Sequence, residues 1–447
     1  MKVARRQKRA ALAARAINMT RIKAFRALVY NQEKVADLKQ VVCPPYDVIS
    51  PSAQEKLHER SLHNFIHILL GKDLPGDDKY RRAGVIFRAW LKDDILIQDE
   101  RPGVYFYSQQ YVIRGEKKTR LGFIALLSLG DEKKSPVFGH ENTHSAAKLD
   151  RFKLIKQVKA NLSPIFIVFQ DKQRIIQRIF QKNIPLLKAF IEVTDDEKTV
   201  HKLWRIDDPL SLKAIESGTN DENMFIADGH HRYEVSCAYR DLMKEKLQSQ
   251  FTGEEDFNYC LAYFTNPDPR GLSILPIHRL LRLESKLDIN DFIIRAKEYF
   301  DVDQIKDRVR FLFLMEKAGC TEHLIGFYKE KKYYLLRLKN VRILDKLIAD
   351  KPKEYRALDV AILNYLVLKN ILKLDLANLQ NISYSPDPVE FMKQVDNDPL
   401  NIAFFLNPVK IEQIINVALG GNKMPLKSTY FYPKVLSGLV VNKLDKV

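Results

Sequence analysis

Residues 224–234 read Met-Phe-Ile-Ala-Asp-Gly-His-His-Arg-Tyr-Glu, and this stretch decides how the rest of the chain is interpreted. Three apolar residues lead into a turn, and apolar positions then recur with helical spacing at Val235, Ala238, Tyr239 and Leu242. A strand that turns directly into a helix aims backbone N–H groups and the positive helix end at one point, where an anion can bind. The stretch therefore predicts a strand, a turn and a helix that handle phosphate.

The side chains of this turn add to that chemistry. Gly229 lets a ligand approach the backbone closely, and His230, His231 and Arg232 add donors and positive charge that suit phosphate. Asp228 is the acid within this basic cluster, and it could ligate a metal ion or accept a proton from a hydroxyl. The alternative is a plain helix start, in which Asp228 caps the helix and the histidines are exposed.

Composition describes an ordinary soluble protein. At 447 residues the chain should hold two or three domains, and 46% hydrophobic residues supply ample core. No apolar run reaches the roughly 18–20 residues needed to span a bilayer, so no membrane association is expected. The cysteines at 43, 237, 260 and 320 are scattered, which fits a reducing cytosol and a cytoplasmic location.

The net charge of +17 is concentrated at one end of the chain. Residues 1–26 carry nine Lys and Arg and no acid. Such a basic arm could bind nucleic acid or membrane, or could be an organelle transit peptide that lacks Ser, or could precede a true start at Met19. Charge alone does not lead us to expect nucleic-acid binding.

A double proline fixes a rigid bend within residues 44–49, because proline fits neither a helix interior nor a central strand. The bend presents Tyr46 as a candidate for substrate binding and Asp47 as a candidate catalytic acid. The alternative is that Asp47 only forms the turn. Further along, residues 104–113 and 119–129 predict a β-hairpin.

Residues 140–144, His-Glu-Asn-Thr-His, formally match the H-E-x-x-H pattern of zinc proteases. That pattern requires a helix, so that both histidines share one face. Here a proline and a glycine precede it, and no third ligand is evident downstream. We interpret the segment as a loop that faces the site, with Glu141 as a catalytic candidate and His140 and Thr143 as substrate-binding candidates.

Two further segments carry charged residues without a decisive pattern. A predicted helix at 146–159 bears Lys148, Asp150 and Arg151, which we interpret as a solvated face. A predicted strand at 271–279 ends in a second His-Arg pair. His278 and Arg279 are candidates for substrate contact, or for packing at the end of the strand.

The region from 287 to 373 contains no chemical cluster. Predicted amphipathic helices at 289–300, 304–318 and 354–371 surround a short hairpin at 324–338, which indicates a smaller module that packs or dimerises. The predicted organisation is a basic tail, expected to be disordered, at 1–21, a main catalytic domain at 22–285, a smaller α+β module at 286–380, and a C-terminal segment returning to the active site at 381–447.

Residues 424–434, Met-Pro-Leu-Lys-Ser-Thr-Tyr-Phe-Tyr-Pro-Lys, contain a further set of candidate binding residues. Lys427, Ser428 and Thr429 stand between a proline and aromatic residues and would suit phosphate or carboxylate recognition. The spacing of glycines excludes a Walker A loop. The alternative is an aromatic edge strand with one exposed lysine.

Together these segments resemble a widespread, largely uncharacterised bacterial and archaeal family. The family is marked by five ordered motifs, which in this chain are Pro44–Ile49, His140–Thr143, Ser163–Phe166, Asp228–Glu234 and Met424–Lys434. The resemblance covers about residues 22–440. The family's pattern does not ask for a histidine at position 144, which further weakens the zinc-protease interpretation.

The Asp-Gly-His-His-Arg element itself resembles the ParB/sulfiredoxin-like superfamily, which includes free serine kinases, sulfiredoxin and nucleotide-binding partition proteins. This resemblance implies an α+β fold, with a mixed sheet, helices and a ParB/sulfiredoxin-like core elaborated by the smaller module. It also implies that Asp228 is catalytic or linked to Mg²⁺, and that residues 229–232 bind phosphate. The kinases' separate catalytic glutamate has no motif here, and Glu141 and Asp47 are candidates by chemistry only.

The leading hypothesis is a cytosolic kinase of free L-serine or a similar small hydroxyl metabolite, using ATP or ADP and Mg²⁺. Phosphoryl transfer depends mainly on positioning and charge neutralisation, which the His-His-Arg cluster and Lys427 would supply. One alternative is a ParB-type, nucleotide-dependent DNA-binding protein or nuclease, favoured by the basic tail but lacking a recognisable helix-turn-helix. Another is a non-catalytic regulator that binds a nucleotide or an acidic metabolite. The sequence leaves the phosphate donor, the acceptor and a homodimeric state open.

Overall fold

The computed structural model describes residues 22–130, 136–319, 322–376 and 381–444. The predicted tail at 1–21 and Cys320 lie outside the described residues. The chain divides into two compact units, one made of the described parts of Met1–Gly139, Thr143–Ser273 and Pro433–Val447, the other of His140–Asn142 and Ile274–Tyr432. Both units combine helices with β-sheet, so the predicted α+β class is confirmed. The predicted domain boundaries stay predictions.

The first unit is built on a mixed sheet. Among the described residues, nine of its strands join in one sheet with the order β6-β11-β8-β12-β5-β4-β10-β9, and β1 pairs with β5. The pairs β6–β11 and β8–β12 are parallel and the others are antiparallel. The strands of this unit up to residue 265 are β1 (Ile22–Lys23), β2 (Leu28–Tyr30), β3 (Leu96–Gln98), β4 (Val104–Ile113), β5 (Glu116–Ser128), β6 (Val137–Gly139), β7 (Ala160–Asn161), β8 (Ile165–Val168), β9 (Ile191–Thr194), β10 (Val200–Ile206), β11 (Met224–Asp228) and β12 (Tyr259–Thr265).

The predicted hairpin is present as β4 and β5, and its turn is tighter than expected. Arg114 and Gly115 both have positive φ, at 51° and 80°. This is the two-residue turn whose twist matches that of the flanking strands. The return strand therefore starts at Glu116, three residues earlier than the sequence indicated.

Helices of the first unit begin where the sequence supplies a cap or a proline. Ser50 accepts a hydrogen bond from the backbone of Ala53, and Asp78 and Asp208 cap two further helices in the same way. The helices are α1 (Pro51–Arg60), α2 (Ile66–Leu69), α3 (Lys79–Lys92), α4 (Ser145–Val158), α5 (Ile175–Asn183), α6 (Pro209–Thr219) and α7 (His230–Leu247).

The second unit contains an antiparallel sheet of six strands, counted over the described ranges, in the order β15-β17-β16-β19-β14-β18. Its elements are β13 (Ser273–Leu275, whose first residue closes the first unit), β14 (His278–Arg282), α8 (Ile289–Ala296), β15 (Phe300–Ile305), α9 (Arg308–Ala318), β16 (Leu324–Lys329), β17 (Lys332–Leu338), α10 (Ile343–Leu347), α11 (Lys353–Arg356), α12 (Asp359–Ala361), a π-helix (Ile362–Ile371), β18 (Ile382–Ser385), α13 (Pro388–Asn397), β19 (Asn401–Phe405), α14 (Ile411–Leu419) and β20 (Tyr430–Tyr432). The chain then returns to the first unit, where β21 (Asn442–Lys443) pairs with β7.

Three sequence-based helix predictions in the second unit were wrong in extent. The predicted helix at 289–300 ends early, at Ala296, and the predicted helix at 304–318 starts late, at Arg308. The reason is that β15 lies between them and pairs with β17. The predicted helix at 354–371 is divided among α11, α12 and the π-helix. Within the described ranges, no helix combines the length and apolar character needed to cross a membrane.

The core of the first unit is a cluster of aromatic and branched side chains around the centre of the sheet. Phe123 on β5 is fully buried and stacks on Phe264, with ring centroids 5.1 Å apart. The cysteines at 43, 237 and 260 are all buried in this unit.

We expect Phe123→Ala to lower the free energy of unfolding of the first unit by about 3–5 kcal/mol, because it leaves a cavity in a packed core. Both tryptophans, Trp90 and Trp204, lie in that unit, so tryptophan fluorescence during chemical denaturation reports on it specifically. Val112→Ala on the adjacent strand is the control, since Val112 is 58% exposed. Equal losses in the two variants would contradict the assignment of the core.

Candidate functional site

The candidate site is the turn between β11 and α7. β11 lies between β6 and β8, and its pairing with β8 shifts register between Ile226 and Asp228, just before the turn. Gly229 adopts the left-handed conformation with φ 89°, and the first helical hydrogen bond runs from the Tyr233 N–H to the Gly229 carbonyl at 3.0 Å. The structure therefore contains the strand, turn and helix that residues 224–234 predict.

Asp228 forms two ion pairs at this turn. Arg232, one helical turn further along α7, donates from Nη2 to Oδ2 at 2.6 Å. Lys434, from the returning C-terminal segment, donates from Nζ to Oδ1 at 2.6 Å. The three side chains are only 12–14% exposed. Asp228 therefore holds two cations and does not cap the helix, which argues against the plain helix start.

The charges decide the protonation state of Asp228. Burial by itself raises the pKa of this carboxyl group, but Lys434 and then Arg232, assisted by His230, outweigh burial and hold the pKa well below its usual range. Asp228 is therefore ionised at neutral pH and is a weak base.

Arg232 is fixed by its surroundings on more than one side. Its Nη1 donates to the carbonyl of Pro164 at 2.5 Å, which brings the Ser163–Phe166 motif into the site. A Cβ atom on Gly229 would lie 2.9–3.0 Å from the guanidinium, so glycine at this position makes room for the arginine. The buried Nε of Arg232 has no acceptor within the part of the chain that the structure describes. An oxyanion reaching this nitrogen would satisfy it.

Lys434 is held through its backbone. The side chain of Gln109 donates to the Lys434 carbonyl at 2.9 Å. Arg120, which is fully buried, donates from Nε to the Gln109 amide oxygen at 3.0 Å and from Nη2 to the Pro433 carbonyl. Lys434 ends the Met424–Lys434 motif, but in the sequence Lys427 is the more obvious phosphate ligand, because two hydroxyl residues follow it.

Tyr46 lies against the same cluster. The Arg151 guanidinium sits 4.2 Å from the centre of the Tyr46 ring. Tyr46, Arg151, Arg232 and Ser163 contribute to the lining of a cavity of about 60 Å³. Burial is the main cause that raises the pKa of Tyr46 to about 12, with the neighbouring Asp47 carboxylate adding to it.

One sequence interpretation near Tyr46 changes in the structure. Arg151 was interpreted as part of a solvated face, but it is buried and also donates to the Leu69 carbonyl at 2.7 Å. Helical periodicity could not reveal this, because the partners come from distant segments. Asp47 is exposed on a short 3-10 helix (Tyr46–Val48), so its assignment as a catalytic acid stays a prediction.

The H-E-x-x-H segment precedes helix α4 and does not lie within a helix, contrary to what a zinc protease requires. Thr143 donates to Glu234 on α7 at 2.7 Å, and Lys148 contacts the same carboxylate at 3.1 Å. The backbone N–H of His144 donates to Nε2 of His231 at 2.9 Å. Nε2 of His231 is the acceptor in this contact, and the assignment of His231 to phosphate binding stays a prediction.

Other predicted site residues belong to the second unit. Among them, Nε2 of His140 lies 3.1 Å from the Thr429 hydroxyl, and the Met424 N–H donates to the His140 carbonyl at 2.7 Å. The Ser428 hydroxyl donates to the Pro425 carbonyl. Glu141 lies on the same short segment as His140.

Lys427, His278 and Arg279 also lie in the second unit. The Lys427 side chain is exposed, and its backbone carbonyl accepts from Arg279 at 2.9 Å. His278 is buried and accepts the Leu406 N–H at 3.3 Å. Burial, with the adjacent Arg279, lowers the pKa of His278 to about 3, and burial lowers the pKa of Arg279 to about 10. This arrangement fits the packing interpretation of His278.

A metal ion held by protein ligands alone does not fit this site. In the described ranges, no three or more His, Cys, Asp or Glu side chains are grouped so that they could hold a metal ion. Both oxygens of Asp228 already contact cations. Any Mg²⁺ would take most of its ligands from phosphate oxygens and water.

The family described as "Protein of unknown function (DUF1015)" matches residues 22–361. The chain belongs to this DUF1015 family. No curated protein matches it.

Solved structures similar to this DUF1015 protein include a mutant free serine kinase in complex with AMP. It is 10% identical, with a TM-score of 0.31, and the match covers 66% of this chain and 84% of that chain. A conserved hypothetical protein from Pyrococcus furiosus is 12% identical with a TM-score of 0.32, covering 70% and 94% of the two chains. SbnI from Staphylococcus aureus, truncated at its C-terminus, is 9% identical with a TM-score of 0.34, covering 70% and 85%. We draw no functional conclusion from TM-scores this low.

We expect Gly229→Ala to destabilise the first unit more than Gly253→Ala does. Both glycines have φ near 90°, so each alanine bears the left-handed cost of about 1–2 kcal/mol. A Cβ at Gly253 meets nothing within 4 Å, whereas a Cβ at Gly229 meets the Arg232 guanidinium. Denaturation followed by tryptophan fluorescence measures the difference, and equal losses would show that the close approach to Arg232 does not matter.

We expect Asp228→Asn to lower the free energy of unfolding at pH 7 by about 3–5 kcal/mol, because it leaves two buried cations without their partner. Asp241→Asn, on an exposed face of α7, should change it by less than about 0.5 kcal/mol.

The effect of Asp228→Asn should depend on pH with a defined sign. The pKa of Asp228 is lower in the folded than in the unfolded protein, where it is about 3.9. The stabilisation by its charge is therefore complete above that unfolded value and declines as the pH falls toward the folded one. Denaturation curves of both proteins between pH 7 and pH 2 test this, and a difference that stays constant would contradict it.

Proposed function

We propose that this DUF1015 protein transfers a phosphoryl group from ATP or ADP to the hydroxyl of a small metabolite, with free L-serine as the leading candidate acceptor. In this proposal the first unit carries a ParB/sulfiredoxin-like core. The observation that carries the proposal is the cluster of Asp228, Arg232 and Lys434 at the first turn of α7.

The charge of this cluster supports binding of an anion. One carboxylate and two cations leave a net charge of +1 among side chains that are largely buried. The helix N-terminus adds a partial positive charge of roughly +0.5 at the same place. A phosphate group that reaches these two cations would be stabilised by charge-assisted hydrogen bonds.

The convergence of distant motifs also supports a binding site. Tyr46 comes from the Pro44–Ile49 motif, the Pro164 carbonyl from Ser163–Phe166, and Lys434 from the last motif. All three meet the side chains of the Asp-Gly-His-His-Arg element within the first unit. A helix start with only a structural role would need none of these partners.

Each residue of the cluster would have its own role in binding the phosphate. Arg232 and Lys434 would contact phosphate oxygens as charge-assisted donors, and Gly229 would allow the phosphate close to the backbone. Asp228, kept ionised, would hold the two cations in place before the ligand arrives. The nucleotide supplies the phosphoryl group, and Mg²⁺ would neutralise part of its charge.

The acceptor of the hydroxyl proton stays a prediction, with Glu141 and Asp47 as candidates. Because the transferred group passes through a loose transition state, positioning and charge neutralisation matter more than the base. The contributions of His140, Thr143, His278, Arg279 and residues 427–429 to one site are likewise predictions.

One observation favours a second candidate function, a non-catalytic regulator that binds a nucleotide or an acidic metabolite. Both oxygens of Asp228 are occupied by cations, and its pKa is far too low for a general base. An anion could bind to Arg232 and Lys434 without any chemistry following.

Turnover assays separate the two functions. The full-length protein is incubated with L-serine or related hydroxyl compounds, ATP or ADP, and Mg²⁺, and phosphorylated products are detected by ³¹P NMR and mass spectrometry. We expect phosphoserine from the wild type and a loss of about 10²–10³-fold in Lys434→Met, the scale for removing one positioned donor. Lys246→Met, on the exposed last turn of α7, is the charge-matched control and should be unaffected.

Each other outcome has a defined meaning. Saturable nucleotide binding that is lost in Lys434→Met, without turnover of any hydroxyl compound, would establish the regulator in place of the kinase. Neither binding nor turnover in the wild type would overturn both.

A further inference from the structure

Two histidines outside the candidate site face each other across two helices of the first unit. His58 on α1 and His67 on α2 have their Nδ1 atoms 3.1 Å apart, and their ring planes are perpendicular. Both side chains are half-buried. Neither residue lies in a sequence motif discussed above or contacts Asp228, Arg232 or Lys434, so this pair is independent of the proposed function.

The backbone fixes the tautomers of this pair. Nε2 of His58 lies 3.1 Å from the Leu70 carbonyl, and Nε2 of His67 lies 3.0 Å from the Ser61 carbonyl. A carbonyl oxygen only accepts, so each Nε2 must carry the proton of its ring to make these bonds. Two neutral imidazoles have no further proton, and their two unprotonated Nδ1 atoms are left 3.1 Å apart.

The two rings lack one proton for the contacts they make. Three close contacts are present: Leu70 to His58, His58 to His67, and His67 to Ser61. Each contact needs one proton or other cation between its two atoms, and two neutral rings supply only two N–H protons. Any other choice of neutral tautomers moves the conflict to one of the carbonyls. One extra cation between the Nδ1 atoms, either a proton or a metal ion, resolves it.

The geometry suits a metal ion, because both rings keep their proton on Nε2 and bring an unprotonated Nδ1 to the same place. Burial lowers the pKa of both rings, and the nearby Lys72 lowers both further. Arg82 acts in the same direction on His67, while Glu55 and the carbonyl partners oppose the shift. Burial thus disfavours a proton shared by the pair, while the charges of Lys72 and Arg82 oppose any added cation. Neutral imidazole is the form that binds metal.

We propose that His58 and His67 bind a divalent transition-metal ion of the Zn²⁺ type through their Nδ1 atoms. Metal-binding histidines almost always donate their other ring N–H to a carbonyl or carboxylate, as both rings do here. Bonds of 2.0–2.1 Å at a tetrahedral angle would place the two nitrogens about 3.3–3.4 Å apart, so the pair needs to open by only a few tenths of an ångström.

The proposed site is an exchangeable one that links α1 to α2. No third His, Cys, Asp or Glu joins the pair among the described residues, so water or an external ligand completes the coordination. Imidazole ligands suit Zn²⁺, Cu²⁺ and Ni²⁺ and do not suit Mg²⁺ or Ca²⁺.

Titration with Zn²⁺ alone tests the proposal. Untagged full-length protein is freed of metal with a chelator and titrated calorimetrically at pH 7.5. We expect about one Zn²⁺ per chain, with an affinity that falls at least about tenfold in both His58→Gln and His67→Gln. His63→Gln is the matched control, because His63 lies between them in sequence but packs against Trp90 with ring centroids 5.7 Å apart.

Two variants and a second measurement keep the test decisive. Tryptophan fluorescence shows whether each variant is folded, and either folded variant suffices. Unchanged Zn²⁺ affinity in a folded His58→Gln or His67→Gln would overturn the proposal. Absence of Zn²⁺ binding by the wild type would also overturn it, and imidazole ¹⁵N shifts showing an extra proton shared by the pair at pH 7.5 would then identify a proton as the cation.

Discussion

The arrangement of the first unit's candidate site depends on one carboxylate that neutralises two buried cations. Asp228 and Lys434 are 206 residues apart in sequence, and their ion pair fixes the returning C-terminal segment beside the turn that opens α7. Removing either partner would leave charge buried without compensation, which costs several kcal/mol. Two cations face this one carboxylate, and in the proposed function they are the groups that meet the phosphate.

The neighbouring residues hold these two cations in position. Gly229 combines a positive φ with an absent Cβ, and the second property gives the Arg232 guanidinium its space. Arg120 donates to the Pro433 carbonyl and Gln109 donates to the Lys434 carbonyl. These hydrogen bonds position Lys434 through its backbone. The side chains around Asp228 thus fix the two cations in position before any ligand binds.

Local sequence patterns predicted what local physics determines. The β-forming residues at 104–113 and the returning segment at 119–129 located β4 and β5. The turn at 228–230 was predictable because glycine and a following apolar period leave few alternatives. The strand β15 was missed since its alternation, with Phe300 and Val302 against Asp301 and Asp303, is short and lies between two helical patterns.

Contacts between distant segments could not be predicted in the same way. Nothing local marks Lys434 as a partner of Asp228, and only the tertiary structure shows this contact. Arg151 looked like a surface residue because its partners, Tyr46 and the Leu69 carbonyl, come from other parts of the chain. The motifs indicated which segments matter, and the fold decided which side chains within them contact one another.

A crystal structure of the protein with ADP and Mg²⁺ tests the central claim most directly. If the cluster is an anion site, a phosphate oxygen will lie within hydrogen-bond distance, about 2.7–3.2 Å, of Lys434 Nζ or the Arg232 guanidinium. A nucleotide bound elsewhere, with both ion pairs of Asp228 undisturbed and no anion in front of them, would contradict the account.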